Sequence, residues 1–192
     1  MHVRLGTRWC VFTSTGLFGP LADHADCPAG HAIVATIAEL YLEPTVLPTL
    51  CSILNSNNLG KSCSLASVAS WADQYKSKMK WSAEMHYVNA VADHPPQLCT
   101  FPGAKGWEGA KNVNVLGAIR NTTNLLGQWV EKGSDLDDPV ASEALKFLIH
   151  FVGDLHQPFH TVGRARGAND VYVKWDGKKS RTCSSFNCLC IV

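Results

Sequence analysis

Pro139-Val-Ala-Ser-Glu-Ala-Leu-Lys-Phe-Leu-Ile-His150-Phe-Val-Gly-Asp154-Leu-His156-Gln-Pro158-Phe-His160 is the stretch on which the reading of this chain turns. Asp138 suits the N-cap of a helix and Pro139 its first position, so a helix is expected from about Asp138 through His156. Val140, Ala144, Leu145, Leu148, Ile149, Phe151, Val152 and Leu155 cover nearly every face of it, the pattern of a central buried helix rather than an amphipathic surface one. Polar groups on such a helix need partners. His150 and Asp154 project from one side a turn apart, and Gln157-Pro158 ends the helix and turns His160 back toward them. An unpaired buried carboxylate is costly unless it becomes neutral, and a divalent cation removes that cost. Imidazole nitrogen with carboxylate oxygen is a ligand set that suits zinc. For one His and Asp alone, a hydrogen-bonded core pair is the simpler alternative. Three imidazoles and a carboxylate between positions 150 and 160 favour a metal.

Working outward, the 192 residues are 46% hydrophobic, enough for one globular domain with its own core. Charge is balanced at 17 basic against 16 acidic residues, so no broad basic field marks the chain as a nucleic-acid binder, although bound cations would supply positive charge locally. No apolar run reaches the roughly 18 to 20 residues of a membrane span, and a soluble chain is expected. The 8 cysteines show no paired Cys-x-x-Cys spacing, which favours disulfides and a secreted protein. Cys51 and Cys63 bracket the polar loop Ser56-Asn-Asn-Leu-Gly-Lys-Ser62 and are the expected bridge. Asn121-Thr-Thr123 is a glycosylation sequon pointing the same way. Met1 to Arg8 resembles a basic leader, but Thr, Ser, Gly and Pro interrupt Trp9 to Ala22, so the signal peptide is poorly formed.

The rest of the chain reads as helices until late. Ile33, Ile37, Leu40 and Tyr41 give a helical period after His31, Val46, Leu47, Leu50 and Leu54 another after Pro44, and Leu65 to about Met79 continues the series. Pro95-Pro96 through Gly109 is a loop, followed by a helix carrying Val115, Ile119, Leu125, Leu126 and Trp129. Val171 to Trp175 alternates as a strand before an Asp-Gly turn. The expected architecture is all-α, a single mainly helical domain with a short β segment near the C-terminus. Further potential ligands punctuate these helices: His31, Asp73 in Ser70-Trp-Ala-Asp73 and His86 in Trp81-Ser-Ala-Glu-Met-His-Tyr87. Singly, each is an ordinary structural residue. With the central helix they form a constellation.

Taken together, Gly30-His31, Ser70-Trp-Ala-Asp73, Lys80-Trp-Ser82, His86-Tyr87, Gly117-Ala-Ile119 with Asn121-Thr-Thr123, and above all Ala144 through Pro158 resemble the single-strand-specific, zinc-dependent nucleases of the S-one/P-one type, in that family's order over about residues 30 to 179. The resemblance implies the helical fold of zinc-dependent phospholipases C and nucleases. It also implies three zinc ions in a cleft and hydrolysis of single-stranded DNA or RNA to 5′-phosphates, often with 3′-nucleotidase activity. Carried over by position, Asp73, His86, His150 and Asp154 hold one zinc, Asp154 bridges to a second that also uses His31, and His160 belongs to the third. Asp73 and Asp154 thereby act in catalysis through the metals. Lys76 matches a basic position facing the substrate phosphate, with a solvated lysine as the alternative. Tyr87 matches an aromatic that stacks a nucleobase, with packing as its rival role. His156 matches no ligand position and reads as a supporting or structural residue. Neither a membrane nor an obligate protein partner is implied.

Both ends depart from the family pattern. The family's mature chain begins with a Trp whose amino group and carbonyl ligate zinc, whereas this chain has Asp26-Cys-Pro-Ala-Gly-His31 at that place. Downstream, Trp175-Asp-Gly-Lys-Lys-Ser180 tracks the family, but Arg181 through Val192 carries no ligand His or Asp. Its Cys183, Cys188 and Cys190 suggest either soft-metal binding or an altered reading frame. Cys99 matches a family cysteine whose partner lies beyond that point. The expected layout is therefore an atypical leader over 1–26, a C-terminally truncated zinc-dependent nuclease domain over 27–180 and a divergent tail over 181–192. At least one zinc is expected. The alternatives to an active nuclease are a noncatalytic zinc-binding remnant and a zinc-dependent phospholipase C.

Overall fold

The computed structural model describes residues 28–54, 63–91, 106–165, 167, 170–175 and 177–181. The leader, the 56–62 loop, Cys99, the Pro95-Pro96 stretch and the tail from 182 onward lie outside the described residues. Among the described residues there are five α-helices: α1 (Pro28–Tyr41), α2 (Val46–Leu54), α3 (Trp71–Tyr75), α4 (Val115–Glu131) and α5 (Pro139–Leu155). Short 3-10 turns cover Leu65–Val68, Lys80–His86 and Pro158–Thr161. Near the C-terminus β1 (Tyr172–Trp175) pairs antiparallel with β2 (Lys178–Arg181), Tyr172 opposite Arg181 and Trp175 opposite Lys178. Gly177, with φ +77°, supplies the left-handed backbone of the tight turn between them. The chain is mainly helical, as expected, and the expected single strand is one arm of a hairpin.

α5 is the axis of the structure and touches every other helical segment. Asp138 caps it by accepting from the amides of Val140 and Ala141, and Pro139 occupies the first turn. Asp138→Ala is expected to cost about 1 kcal/mol, the usual value of a lost N-cap, read as a lower urea midpoint at unchanged slope. Phe147 and Phe151 of α5 stack at 5.2 Å and close a core with Ala72, Val88, Val115 and Ala118. On the next face Ala141 and Leu145 pack with Ile53 and Trp129, and Ile149 reaches both this group and the cluster of Ala35, Leu65 and Ala69. Of the apolar residues expected to cover nearly every face of this helix, Val140 in the first turn is the exposed one, at 53%.

One further expectation is corrected. Leu65 to Met79 is not one helix. Ser64 caps the turn Leu65–Val68 by accepting from Ala66 N, the chain bends at Ala69 and Ser70, and α3 begins at Trp71. That bend leaves the Ala69 carbonyl outside any helical ladder, where it meets His150. In α1 the apolar stripe faces outward: Ile33 and Ile37 are each 45% exposed, while His31, Val34 and Ala35 are buried. The small face wins because it lets α1 approach α5 closely, and the reach of His31 toward Asp154 fixes that approach. A disulfide joins Cys51 at the end of α2 to Cys63, with Cα atoms 5.7 Å apart. No helix among the described residues is long and apolar enough to cross a membrane.

Candidate metal centre

Asp154 is fully buried near the C-terminal end of α5, and each of its oxygens faces a different imidazole. Oδ1 lies 3.0 Å from His31 Nε2 and Oδ2 lies 3.0 Å from His86 Nδ1. His150, one turn earlier and also fully buried, places Nε2 at 3.3 Å from Oδ2 and 3.0 Å from His86 Nδ1. Asp73 on α3 completes the group, its Oδ1 at 3.6 Å from His150 Nε2 and 4.0 Å from His86 Nδ1. His160 stands at the edge, its Nδ1 at 3.9 Å from Asp154 Oδ1. Thus α1 and the turns bearing His86 and His160 meet α5 at one carboxylate, and Asp73 of α3 joins the group through His86 and His150.

Main-chain carbonyls set the tautomers. His150 Nδ1 donates to the Ala69 carbonyl at 2.8 Å, so in the neutral ring Nε2 presents its lone pair to the cluster. His160 Nδ1 likewise donates to the His86 carbonyl at 2.7 Å, leaving Nε2 as the lone-pair nitrogen. His31 lies flat on His150, ring centroids 4.2 Å apart at 13°. Gly153 makes this possible, since a Cβ there would stand 2.6 Å from His31 Cδ2. His86 is wedged edge-on against Phe151 at 5.3 Å.

The donors fit a divalent metal. His31, Asp73 and His150 form one group, and His86, His150 and Asp154 another, in each of which the ligand atoms lie within 4.8 Å of one another. His86 turns Nδ1 toward Asp154, His150 and Asp73, while its Nε2, on the other side of the ring, is buried with no hydrogen-bond partner among the described residues. Asp154 directs its two oxygens at different imidazoles, Oδ1 at His31 and Oδ2 at His86.

Electrostatics follow from the same contacts. Burial by itself would raise the Asp154 carboxyl, but hydrogen bonds from His150, His31 and His86 hold it well below the usual carboxylate range. Burial would push the His150 imidazole down. The hydrogen bond and charge of Asp154, with Asp73 and the Ala69 carbonyl behind them, outweigh that and raise it above its usual value. Metal uptake must displace the proton that the raised value favours. Metal affinity is therefore expected to fall as pH drops through the His150 value, by about tenfold per pH unit below it, measurable by calorimetric titration across pH.

The expected residues outside the core of the site are also placed. Lys76 sets Nζ 3.9 Å from Asp73 Oδ1. Tyr87 follows His86 in extended backbone with its side chain exposed, and its carbonyl accepts from Val115 N. Asn121 is exposed on α4. His156 is exposed and donates through Nδ1 to the Val152 carbonyl, a structural role at the end of α5. The contributions of Gly153 and of the Ala69 and His86 carbonyls went unread. A glycine in a helix interior costs roughly 1 kcal/mol relative to alanine, so Gly153 was itself the available sign of a close approach.

Residues 27–186 match the family described as S1/P1 Nuclease. The chain is 38% identical over 150 residues to Nuclease P1 of Penicillium citrinum, covering 77% of this chain and 52% of that protein. It is 34% identical over 154 residues to Nuclease S1 of Aspergillus oryzae, covering 78% and 48% respectively. Against Endonuclease 2 of Arabidopsis thaliana it is 32% identical over 178 residues, covering 91% and 57%. The chain spans about half the length of these curated relatives. With the family matched over most of its length and its buried His and Asp side chains gathered at one point, this chain belongs to the S1/P1 nuclease family.

Proposed function

We propose that this chain carries the centre of a secreted, zinc-dependent endonuclease that hydrolyses phosphodiester bonds of single-stranded DNA and RNA, leaving 5′-phosphates, with 3′-nucleotidase activity as an accompaniment. The observation carrying this reading is the convergence of His31, His86, His150 and Asp73 on the buried Asp154. The relatives bearing the names Nuclease P1 and Nuclease S1 support the same chemistry. In this reading Asp73, His86, His150 and Asp154 would hold one zinc, Asp154 and His31 would serve a second, and His160 would serve a third. When bound, the ions polarise the phosphoryl group and make water a competent nucleophile near neutral pH.

The protein groups supply position and charge. Water adds to phosphorus, the bond to the 3′ oxygen breaks, that oxygen takes up a proton, and a 5′-phosphate and a 3′-hydroxyl remain. Asp154 and Asp73 supply the negative charge that holds cations in a buried site. Their coordination needs the neutral imidazole tautomers that the Ala69 and His86 carbonyls select. Lys76, beside Asp73, presents its ammonium to a non-bridging phosphate oxygen. Tyr87, exposed next to His86, offers a ring on which an unpaired base stacks. Asn121, exposed on α4, is the glycosylation site.

Zinc per chain by elemental analysis, on one sample assayed against denatured DNA, duplex DNA and phosphatidylcholine with and without chelator, tests the reading. Chelator-sensitive release of 5′-phosphorylated products from denatured DNA alone is the expected result. Cleavage of the lipid instead, or bound zinc with no turnover of any substrate, overturns it.

A further inference from the structure

Beyond the metal centre, the segment Gln74-Tyr-Lys-Ser-Lys-Met-Lys-Trp81 puts three lysines and no acid into eight positions of a chain whose charge is otherwise balanced. Met79 turns inward to the Phe147 and Phe151 core, which sends its neighbours outward. Tyr75 is 40% and Trp81 59% exposed, and Lys78 and Lys80 are exposed between them. These rings are the exposed ends of one aromatic chain that passes inward through the half-buried Trp71 and the buried Phe147. Tyr75 stacks on Trp71 at 5.1 Å, Trp71 meets the edge of Phe147 at 5.3 Å, and Trp81 lies against Phe147 at 5.6 Å. Ammonium groups cover it: Lys78 Nζ stands 5.1 Å above Tyr75 and Lys146 Nζ 5.3 Å above Trp71. Phe147 is one helical turn from His150, and Lys76 links this surface to Asp73, a more accessible member of the cluster than His31, His86, His150 or Asp154.

We infer that Tyr75, Lys78, Lys80, Trp81 and Lys146 form a track that holds a single strand of nucleic acid alongside the centre, with phosphates on the lysines and bases on the rings. An aromatic face beside cations is what unpaired bases and their backbone jointly require, whereas in a duplex the base faces are already stacked on one another. Glu84 and Glu143, exposed on the neighbouring turns, carry the opposite charge and bound the track on those sides. The direction of the strand toward Asp73 rests on the nuclease reading. Binding to the track does not.

The test is the fluorescence anisotropy of a 5′-labelled dT12 titrated with the full chain, once with zinc and once in EDTA so that cleavage is removed. Lys78→Ala with Lys80→Ala is expected to weaken binding about tenfold or more at 0.1 M salt and to lower the slope of log affinity against log salt by about 1.4, the loss of two phosphate contacts. Trp81→Ala is expected to weaken it about tenfold, with Trp81→Phe restoring most of the loss because a stacking face returns. Unchanged affinity and slope in these variants, or a duplex of equal length binding as tightly as the single strand, overturns the track. So does an anisotropy change traced to self-association through Trp81. Loss of the track with chelator-sensitive cleavage intact refutes the track alone, and binding without cleavage refutes the nuclease reading alone.

Discussion

Asp154→Ala is expected to weaken zinc binding by at least about a hundredfold, since even residues that merely support a ligand are worth 10- to 100-fold, and to reduce hydrolysis of denatured DNA to background. The reason is geometric. Asp154 touches His31, His86 and His150 together, so its removal deprives three imidazoles of a shared partner. In the metal-free chain the same change is expected to cost about 3 to 5 kcal/mol, the range for breaking a buried pair from one side. For a domain of ordinary stability that is a large fraction of the whole. Paired urea titrations with and without zinc separate the two effects: the variant should unfold earlier in both, and zinc should no longer raise its midpoint. A midpoint that zinc still raises by the wild-type amount would exclude Asp154 as a ligand.

Gly153→Ala is expected to cost about 1 to 3 kcal/mol, the usual price of overpacking, although alanine is the better helix former. The added methyl would stand 2.6 Å from His31 Cδ2 and 3.4 Å from the His31 Cα, so both the ring and α1 itself must move. That movement opens the His31 stack on His150 and lengthens its contact with Asp154, while His86 and Asp73 lie on other segments. The expected signature is selective. If the ligands divide as proposed, an ion that uses His31 is lost and one held by Asp73, His86, His150 and Asp154 is kept, so zinc content should drop by one per chain. Stability falling with zinc content unchanged would show that Gly153 matters for packing alone.

Much of the architecture was legible because it is written locally. The cap at Asp138, Pro139 and the break at Gln157-Pro158 bound α5 without reference to any other segment. The side of α1 that is buried was not legible. Ile33, Ile37, Leu40 and Tyr41 form the stronger apolar period, yet docking is decided by how closely the backbone can approach α5, where Val34, Ala35 and the missing side chain of Gly153 count for more than hydrophobicity. The bend at Ala69 and Ser70 was invisible for a related reason: its worth lies in a carbonyl aimed at His150, 81 positions along the chain. The residues of the candidate centre were found by chemical type and family pattern. Their supports are two main-chain carbonyls, which no side-chain pattern displays, and an absent Cβ, whose one mark in the sequence is the glycine inside the helix.

The lacing of two segments behind the centre has a consequence for how the site acquires its ions. Val88 N donates to the His160 carbonyl at 2.8 Å while His160 Nδ1 donates to the His86 carbonyl at 2.7 Å, so the segments bearing His86 and His160 are clamped to each other by bonds that involve no metal. The segments bearing His86 and His160 are thus a preformed pair of arms, and the cost of ordering one against the other falls on folding of the chain rather than on any later binding event.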